Sequence, residues 1–264
     1  LGYLAENVEN IIVSSADLSN SDKTDGFLKK SSVLKREDFS GGFLQAGVAE
    51  LTMAAIANGI ALHGGVIPVV ATFFVFSDYM KPAIRLSAIQ ELPVKYVWTH
   101  DSFRVGEDGP THQPIEQEAQ IRLLEKIKNH SGEQSLLALR PADAIETSVA
   151  WQMALENKKT PTGLIFSRQD IKDLPTIGKS RFEDALQAQK GGYLVKSVSN
   201  PDITLIANGS EVATLIEAAT ELEQTMGIKI NVASIISEGL FRSQSKQYQE
   251  SVIPNDGLVF GLTA

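Results

Sequence analysis

The sequence predicts an α/β protein: a mostly parallel sheet flanked by helices, followed by a second, partial α/β domain. Short runs of β-branched and apolar residues alternate with longer segments in which apolar residues recur at helical spacing. Continuous apolar strands separated by helices are typical of parallel sheets covered on both faces. No internal repeat or low-complexity tract interrupts this alternation.

The first part of the chain supplies most of these elements. Its predicted strands lie at residues 11–13, 66–71, 94–99, 135–139 and 162–167. Its predicted helices lie at residues 46–62, 79–90, 116–128 and 143–157. Proline is tolerated only in the first turn of a helix, which is where we expect Pro82. Asp143 is the expected N-cap of the last helix, and the polar residues 19–40 predict an irregular loop.

A polar segment separates this region from the second unit. We interpret residues 1–178 as one domain, 179–190 as a linker and 191–264 as an incomplete second domain. The second domain has predicted strands at 203–207, 229–234 and 258–262 and a predicted helix at 212–226. The chain opens without Met and stops while strands are still being added, so we expect a piece of a longer protein.

Composition excludes several functions. A net charge of −8 argues against nucleic acid or an anionic membrane as a partner. No run approaches the 18 apolar residues that a membrane span requires. The absence of cysteine excludes disulfides and thiolate metal sites, and it favours a cytoplasmic location.

Residues 99–114 carry the strongest functional signal. They hold two of the four histidines and three carboxylates between a predicted strand and a predicted helix. Open α/β sheets bind ligands in loops at the carboxyl ends of their strands. Gly106 and Gly109 would allow close approach of the backbone to a ligand. Composition alone leaves two interpretations open, a substrate loop or a solvated turn.

The amino-acid sequence of this segment resembles the substrate loop of transketolases. Residues 106–114 read Gly-Glu-Asp-Gly-Pro-Thr-His-Gln-Pro, downstream of Thr-His-Asp-Ser at 99–102. Further matching segments follow the family order at 15–18, 55–60, 85–88, 140–143, 167–169 and 208–212. The resemblance covers nearly the whole chain. It implies the pyrimidine domain of the thiamine-diphosphate-binding fold and part of the C-terminal domain, without the N-terminal diphosphate-binding domain.

The resemblance implies a cofactor site for thiamine diphosphate. Glu50 matches the glutamate that hydrogen-bonds the pyrimidine nitrogen; on local sequence alone it reads as a helix-surface residue. Phe76 matches the ring that stacks on the aminopyrimidine, with Phe73 and Tyr79 as supporting walls; core packing is the alternative for this stripe. Asp17 matches an aspartate near the cofactor, and its alternative is a turn residue.

The resemblance also implies a sugar-phosphate site. His100, Asp108 and His112 match the residues that contact the sugar, and we assign catalytic roles to Glu50 and His112. Arg168 matches the arginine that binds the substrate phosphate, although a lone arginine is more often a surface ion-pair partner. Ser21 is matched to the phosphate-binding serine, in a loop that departs from the family wording.

The implied function is transketolase: thiamine-dependent transfer of a two-carbon ketol unit between sugar phosphates of the pentose phosphate pathway. The implied assembly is a homodimer across the pyrimidine domain. No metal ligand is expected here, because the Mg²⁺ ligands belong to the domain that the chain lacks, so we expect the chain alone to be inactive. The alternatives are dihydroxyacetone synthase, another thiamine enzyme of this fold, or a non-catalytic assembly subunit.

Overall fold

The computed structural model describes residues 1–103 and 105–263, and it confirms the predicted α/β fold with two sheets. Six strands form the first sheet: β1 (Ile11–Ser15), β2 (Phe43–Gln45), β3 (Ile67–Phe73), β4 (Lys95–Thr99), β5 (Leu137–Leu139) and β6 (Thr162–Ile165). Four strands form the second: β7 (Tyr193–Lys196), β8 (Ile203–Ala207), β9 (Ile230–Ser234) and β10 (Leu258–Gly261).

Helices separate most of the strands. The α-helices are α1 (Gly2–Asn7), α2 (Asp25–Leu28), α3 (Glu50–His63), α4 (Ser77–Ile89), α5 (Gln117–Lys126), α6 (Ala144–Glu156), α7 (Arg181–Ala185), α8 (Glu211–Met226), α9 (Glu238–Arg242) and α10 (Lys246–Val252). Short 3₁₀ segments lie at Phe74–Phe76, Gly106–Asp108, Pro110–His112 and Leu186–Lys190.

The order of the first sheet determines where its loops meet. The strands run β2-β1-β3-β4-β6-β5, and the pairs β1–β3, β3–β4 and β4–β6 are all parallel. The last residues of neighbouring strands lie nearly level, because Phe73 pairs with Thr99 and Trp98 pairs with Ile165. The loops that follow β1, β3, β4 and β6 therefore leave the same edge of the sheet.

The helices α3 and α4 pack on each other and bury apolar side chains toward this sheet. Met53, Met80 and Ile84 are fully buried, and burying such a side chain contributes about 1.5–3 kcal/mol. Asn58 tightens the packing by donating to the backbone oxygen of Ala83 at 2.8 Å. These contacts fix α3 and α4 against the sheet.

The chain divides into two compact units, residues 1–137 with 157–168 and residues 138–156 with 169–264. In the second unit the sheet order is β10-β8-β9-β7, and β7 runs antiparallel to β9. A group of buried polar residues, here called the Glu146 cluster, lies between α6, α7 and this sheet. Its members are Asp143, Glu146, Arg181, Tyr193 and Ser234.

Two helix starts differ from the sequence prediction. Helix α3 begins at Glu50 rather than at residue 46, because Gly47 has a positive φ of 67° and Ala49 has a non-helical φ of −151°. Helix α4 begins at Ser77, so Pro82 is its sixth residue rather than part of the first turn. Proline lacks the N–H that would bond to the carbonyl of Asp78.

Other differences are smaller. The predicted loop at 19–40 contains the short helix α2, and the segment at 179–190 contains α7 and a 3₁₀ turn. The expected N-cap at Asp143 is confirmed, because its Oδ1 accepts from the backbone N–H of Glu146 at 2.7 Å. The domain limits at residues 178 and 191 stay a prediction.

Candidate active site

The carboxyl edge of the first sheet collects several of the side chains that sequence analysis singled out. Asp17 follows β1, Phe73 ends β3, His100 follows β4 and Arg168 lies beyond β6. These strands are neighbours in the order β1-β3-β4-β6. Parallel topology therefore brings to one edge residues that are up to 151 positions apart in the chain, Asp17 and Arg168.

Aromatic rings form the centre of this edge. The rings of Phe73 and Phe76 are stacked with centroids 5.8 Å apart, and Tyr79 continues the row at 6.0 Å from Phe76. His112 approaches both phenylalanines, at 5.7 Å from Phe73 and edge-on at 5.5 Å from Phe76. Phe73 is buried, whereas Tyr79 is 61% exposed, so the row runs from the core to the surface.

His100 is held in an unusual conformation at the end of β4. Its backbone φ is +59°, which non-glycine residues rarely adopt, and its ring stacks on Phe73 at a centroid distance of 3.7 Å. Such backbone outliers cluster at ligand sites, where surrounding packing supports the strain. Burial lowers the pKa of His100 to about 4; the carboxylate of Asp108 opposes this shift, and the charges of Arg168 and Lys23 reinforce it. The imidazole is therefore neutral near pH 7.

Asp108 connects His100 with Arg168. The Arg168 Nε lies 2.9 Å from Asp108 Oδ2, and the His100 Nε2 lies 3.7 Å from the same oxygen. A second carboxylate, that of Glu107, lies 3.5 Å from a terminal nitrogen of Arg168 and is 86% exposed. The guanidinium thus faces two loop carboxylates.

Glu50 is buried in the first turn of α3. The hydroxyl of Thr72, in β3 beside Phe73, donates to Glu50 Oε1 over 3.5 Å, which is long for an O–H···O bond. Among the described residues, the Glu50 side chain accepts this one hydrogen bond. The carboxyl group can therefore bond to a further partner. The contact with Thr72 ties the start of α3 to the end of β3.

The loop after β1 is organised by a residue that sequence analysis did not select. Buried Asp22 accepts from Ser15 Oγ at 2.6 Å and from Thr24 Oγ1 at 2.7 Å. Burial raises the pKa of Asp22, and the hydrogen bonds from Ser15 and Thr24 oppose that shift. Asp17 has a positive φ of 63°, and both Asp17 and Ser21 are exposed.

The structure joins some of the predicted site residues by direct contacts and not others. Ring and ion-pair contacts link six of them: Phe73, Phe76, His100, Asp108, His112 and Arg168. Tyr79 joins through Phe76. Ser21 makes no hydrogen bond to this group within the described residues. Their roles with a ligand stay predictions.

Besides Asp22, sequence analysis missed three residues that act on this site. Lys23 lowers the pKa of His100, Glu107 pairs with Arg168, and Thr72 contacts Glu50. Glu107 lies within the recognised loop motif, and its position beside Asp108 could have drawn attention to it. Lys23 and Thr72 carry no local signal, because only the folding of β1 and β3 places them here. Arg104 of the same loop lies outside the described residues.

Residues 1–103 and 105–263 contain no group of three or more His, Asp or Glu side chains that could hold a metal ion. None of the helices in this part of the chain combines the length and apolar character of a membrane span. Among the described residues, the site therefore offers aromatic surface, the buried carboxyl group of Glu50 and the guanidinium of Arg168.

Comparisons with known proteins match two consecutive parts of the chain. Residues 1–173 match the family described as the transketolase pyrimidine binding domain, and residues 191–264 match the transketolase-like C-terminal domain. A transketolase of Bacillus subtilis is 43% identical over 258 residues, which cover 97% of this chain and 36% of the relative. The chain thus spans about a third of the length of such relatives.

Solved structures agree. A transketolase from Pichia stipitis in complex with sedoheptulose 7-phosphate superposes with a TM-score of 0.87 at 37% identity, covering 100% of this chain and 37% of that one. A split-gene transketolase described as an inactive β4 tetramer has a TM-score of 0.66 at 28% identity, covering 89% of this chain and 68% of that one. The family match to residues 1–173 extends over most of the chain, and the chain therefore belongs to the transketolase family.

Proposed function

We propose that this chain supplies the pyrimidine-binding and sugar-phosphate-binding half of a transketolase. The reaction moves a two-carbon ketol unit from a ketose phosphate to an aldose phosphate, in the pentose phosphate pathway. Membership of the family supports this assignment, as does the complex of the similar Pichia stipitis transketolase with a sugar phosphate. We place the protein in the cytoplasm, which fits its lack of cysteine.

The described residues fit the aminopyrimidine of thiamine diphosphate. Phe76 presents a half-buried ring between Phe73 and Tyr79, and a flat heteroaromatic ring packs well against such a face. Glu50 retains a carboxyl oxygen for the pyrimidine nitrogen, because its hydrogen bond with Thr72 is long. When bound, the cofactor supplies a carbon nucleophile and an electron sink for the two-carbon unit. Asp17 borders this side of the site.

The substrate side of the site uses polar groups with distinct tasks. Arg168 binds the phosphate as a planar, bidentate donor. Asp108 accepts a hydrogen bond from a ketose hydroxyl, and neutral His100 donates through Nε2 toward the same region. The Nδ1 of His112 lies 2.9 Å from Thr111 Oγ1, which leaves its Nε2 to move a proton at a substrate oxygen. Ser21 serves as an additional phosphate contact.

A further part of the site has to bind the diphosphate group of the cofactor together with Mg²⁺. The diphosphate and its Mg²⁺ need oxygen ligands, and we assign them to a diphosphate-binding domain of the family. We also propose a homodimer across the pyrimidine domain. Helices α3 and α4 expose apolar side chains, Leu51, Ile56, Leu62, Leu86 and Ile89, of the kind that isologous interfaces bury.

One observation carries the proposal: Arg168, Asp108 and His100 form a connected polar group directly beside the stacked aromatic row. The test mixes the purified chain with a separately produced diphosphate domain, thiamine diphosphate and Mg²⁺. We expect ketol transfer from sedoheptulose 7-phosphate to an aldose phosphate by the mixture and none by either part alone.

The same experiment separates the alternatives. Transfer to formaldehyde in preference to aldose phosphates would identify a dihydroxyacetone synthase. Specific association with the diphosphate domain without any turnover would support a non-catalytic assembly subunit. The similar split-gene transketolase, an inactive β4 tetramer, makes that outcome worth measuring.

A further inference from the structure

A cavity lies at the edge of the first sheet opposite the candidate active site, where β3 and β4 begin. Its volume is about 220 Å³, enough for roughly seven water molecules. It is walled by the turn after α3 and by the starts of the two strands. Residues that line it include Asn10, Gly64, Gly65, Pro93, Lys95 and Lys158.

Lys95 is the unusual residue of this cavity. It is the first residue of β4, it is only 1% exposed, and its Nζ donates to the backbone oxygen of Asn157 at 2.7 Å. That oxygen is held in place because the Asn157 side chain donates to Thr160 Oγ1 and Thr162 Oγ1, at 2.9 and 3.0 Å. An ammonium group has three N–H donors. Among the described residues, Lys95 Nζ makes one hydrogen bond, the one to Asn157.

The charge of Lys95 has no acidic counterpart in the cavity. The residues that line it include no aspartate or glutamate, and the second charged group is Lys158, another cation. Burial, with a smaller contribution from Lys158, lowers the pKa of Lys95 to about 7. A buried cation without an opposite charge is costly, and an anion in contact with it removes that cost.

We propose that this cavity binds a small oxyanion, a phosphate or carboxylate group, between Lys95 and Lys158. The volume accommodates a group of five or so heavy atoms with some water. The lysine donors supply charge-assisted hydrogen bonds. Gly64 and Gly65, with positive φ values of 83° and 82°, add no side chains to the part of the wall that they form. The site is separate from Arg168, which lies at the other edge of the sheet.

The test measures binding to the 264-residue chain by calorimetry, with inorganic phosphate and with acetate as probes. An Arg168→Ala background removes the other expected phosphate site. We expect saturable binding of at least one probe, and Lys95→Met should weaken it by about tenfold or more. Lys158→Met should weaken it less, because this side chain is exposed.

Lys159→Met is the matched control, since Lys159 is adjacent in sequence but pairs with Glu133 at 2.8 Å. It should leave the affinity unchanged. Thermal unfolding of each variant checks folding, and methionine suits the buried position of Lys95. The proposal fails if neither probe binds, if Lys95→Met binds like the parent, or if Lys159→Met loses as much affinity. None of these results depends on transketolase activity.

Discussion

The candidate active site and the Glu146 cluster contain similar polar side chains, but the hydrogen bonds and ion pairs of those side chains differ in length. In the cluster, fully buried Glu146 accepts from the backbone N–H of Ala142 at 2.8 Å and from Tyr193 Oη at 2.7 Å. In the site, Glu50 is contacted by Thr72 over 3.5 Å, and His100 lies 3.7 Å from Asp108. Glu146 therefore has short hydrogen bonds within the protein, whereas these contacts of Glu50 and His100 are long.

This is the difference that we expect between a structural polar network and a site that binds a ligand. Buried polar groups that hold a fold together are hydrogen-bonded within the protein, because each unsatisfied group is costly. A site that binds a ligand retains long contacts and strained residues such as His100, which a ligand can use. Substitutions in the two regions should therefore change different measurable quantities.

The largest effect is expected at Glu50. Glu50→Gln in the complete enzyme should lower turnover by roughly 10²–10⁴-fold, since an amide cannot share a proton with the pyrimidine nitrogen. Thermal unfolding should change little, because the hydrogen bond to Thr72 is weak. Exposed Glu116→Gln is the control. A loss of less than about tenfold would remove Glu50 from the proton-sharing role.

The Glu146 cluster should respond in the opposite way. Glu146→Ala leaves the buried hydroxyl of Tyr193 without its carboxylate and reduces the two buried carboxylates of Arg181 to one, that of Asp143. Breaking such a buried pair costs about 3–5 kcal/mol of unfolding free energy. Exposed Glu217→Ala, which removes a surface partner of Lys172, should change stability by less than about 1 kcal/mol. Urea unfolding measures both. Equal stability of the two variants would contradict a structural role for the cluster.

An intermediate effect is expected at Arg168. Arg168→Ala should raise KM for phosphorylated sugars much more than KM for hydroxypyruvate. The rise should correspond to the loss of a charge-assisted hydrogen bond, which contributes roughly 1.5–3 kcal/mol to binding. Arg242→Ala removes an exposed arginine in the other unit and should leave both KM values unchanged. Steady-state kinetics with both substrate types decides the matter. The same rise for both would exclude Arg168 from the phosphate site.

The smallest effect is expected at Glu107. This exposed carboxylate competes with a substrate phosphate for Arg168, and exposed ion pairs are worth about 0–1 kcal/mol. Glu107→Gln should therefore lower KM for phosphorylated sugars by up to about fivefold and leave hydroxypyruvate unaffected. Glu37→Gln, at an exposed pair far along the chain, is the control. An increase in KM would mean that Glu107 assists the substrate.

Local patterns in the sequence determined the fold class and most strands to within two residues, whereas the resemblance to a family supplied the candidate site residues. Apolar periodicity reports which face of an element is buried, and the loop motif at 106–114 carries the family resemblance in its order of residues. Both signals are read from neighbours in the chain. Apolar periodicity did not predict the start of α3, because the non-helical backbone conformations of Gly47 and Ala49 delay the helix to Glu50.

Only the tertiary structure decided which distant groups meet. The order β1-β3-β4-β6 brings Lys23 close enough to influence His100 and brings Arg168 to Asp108, and no spacing in the sequence encodes those approaches. The same holds for Lys95, which reads as an ordinary strand residue until β4 buries it over a cavity without an acid. Charges interact through space, so their consequences depend on distances and burial that packing alone sets.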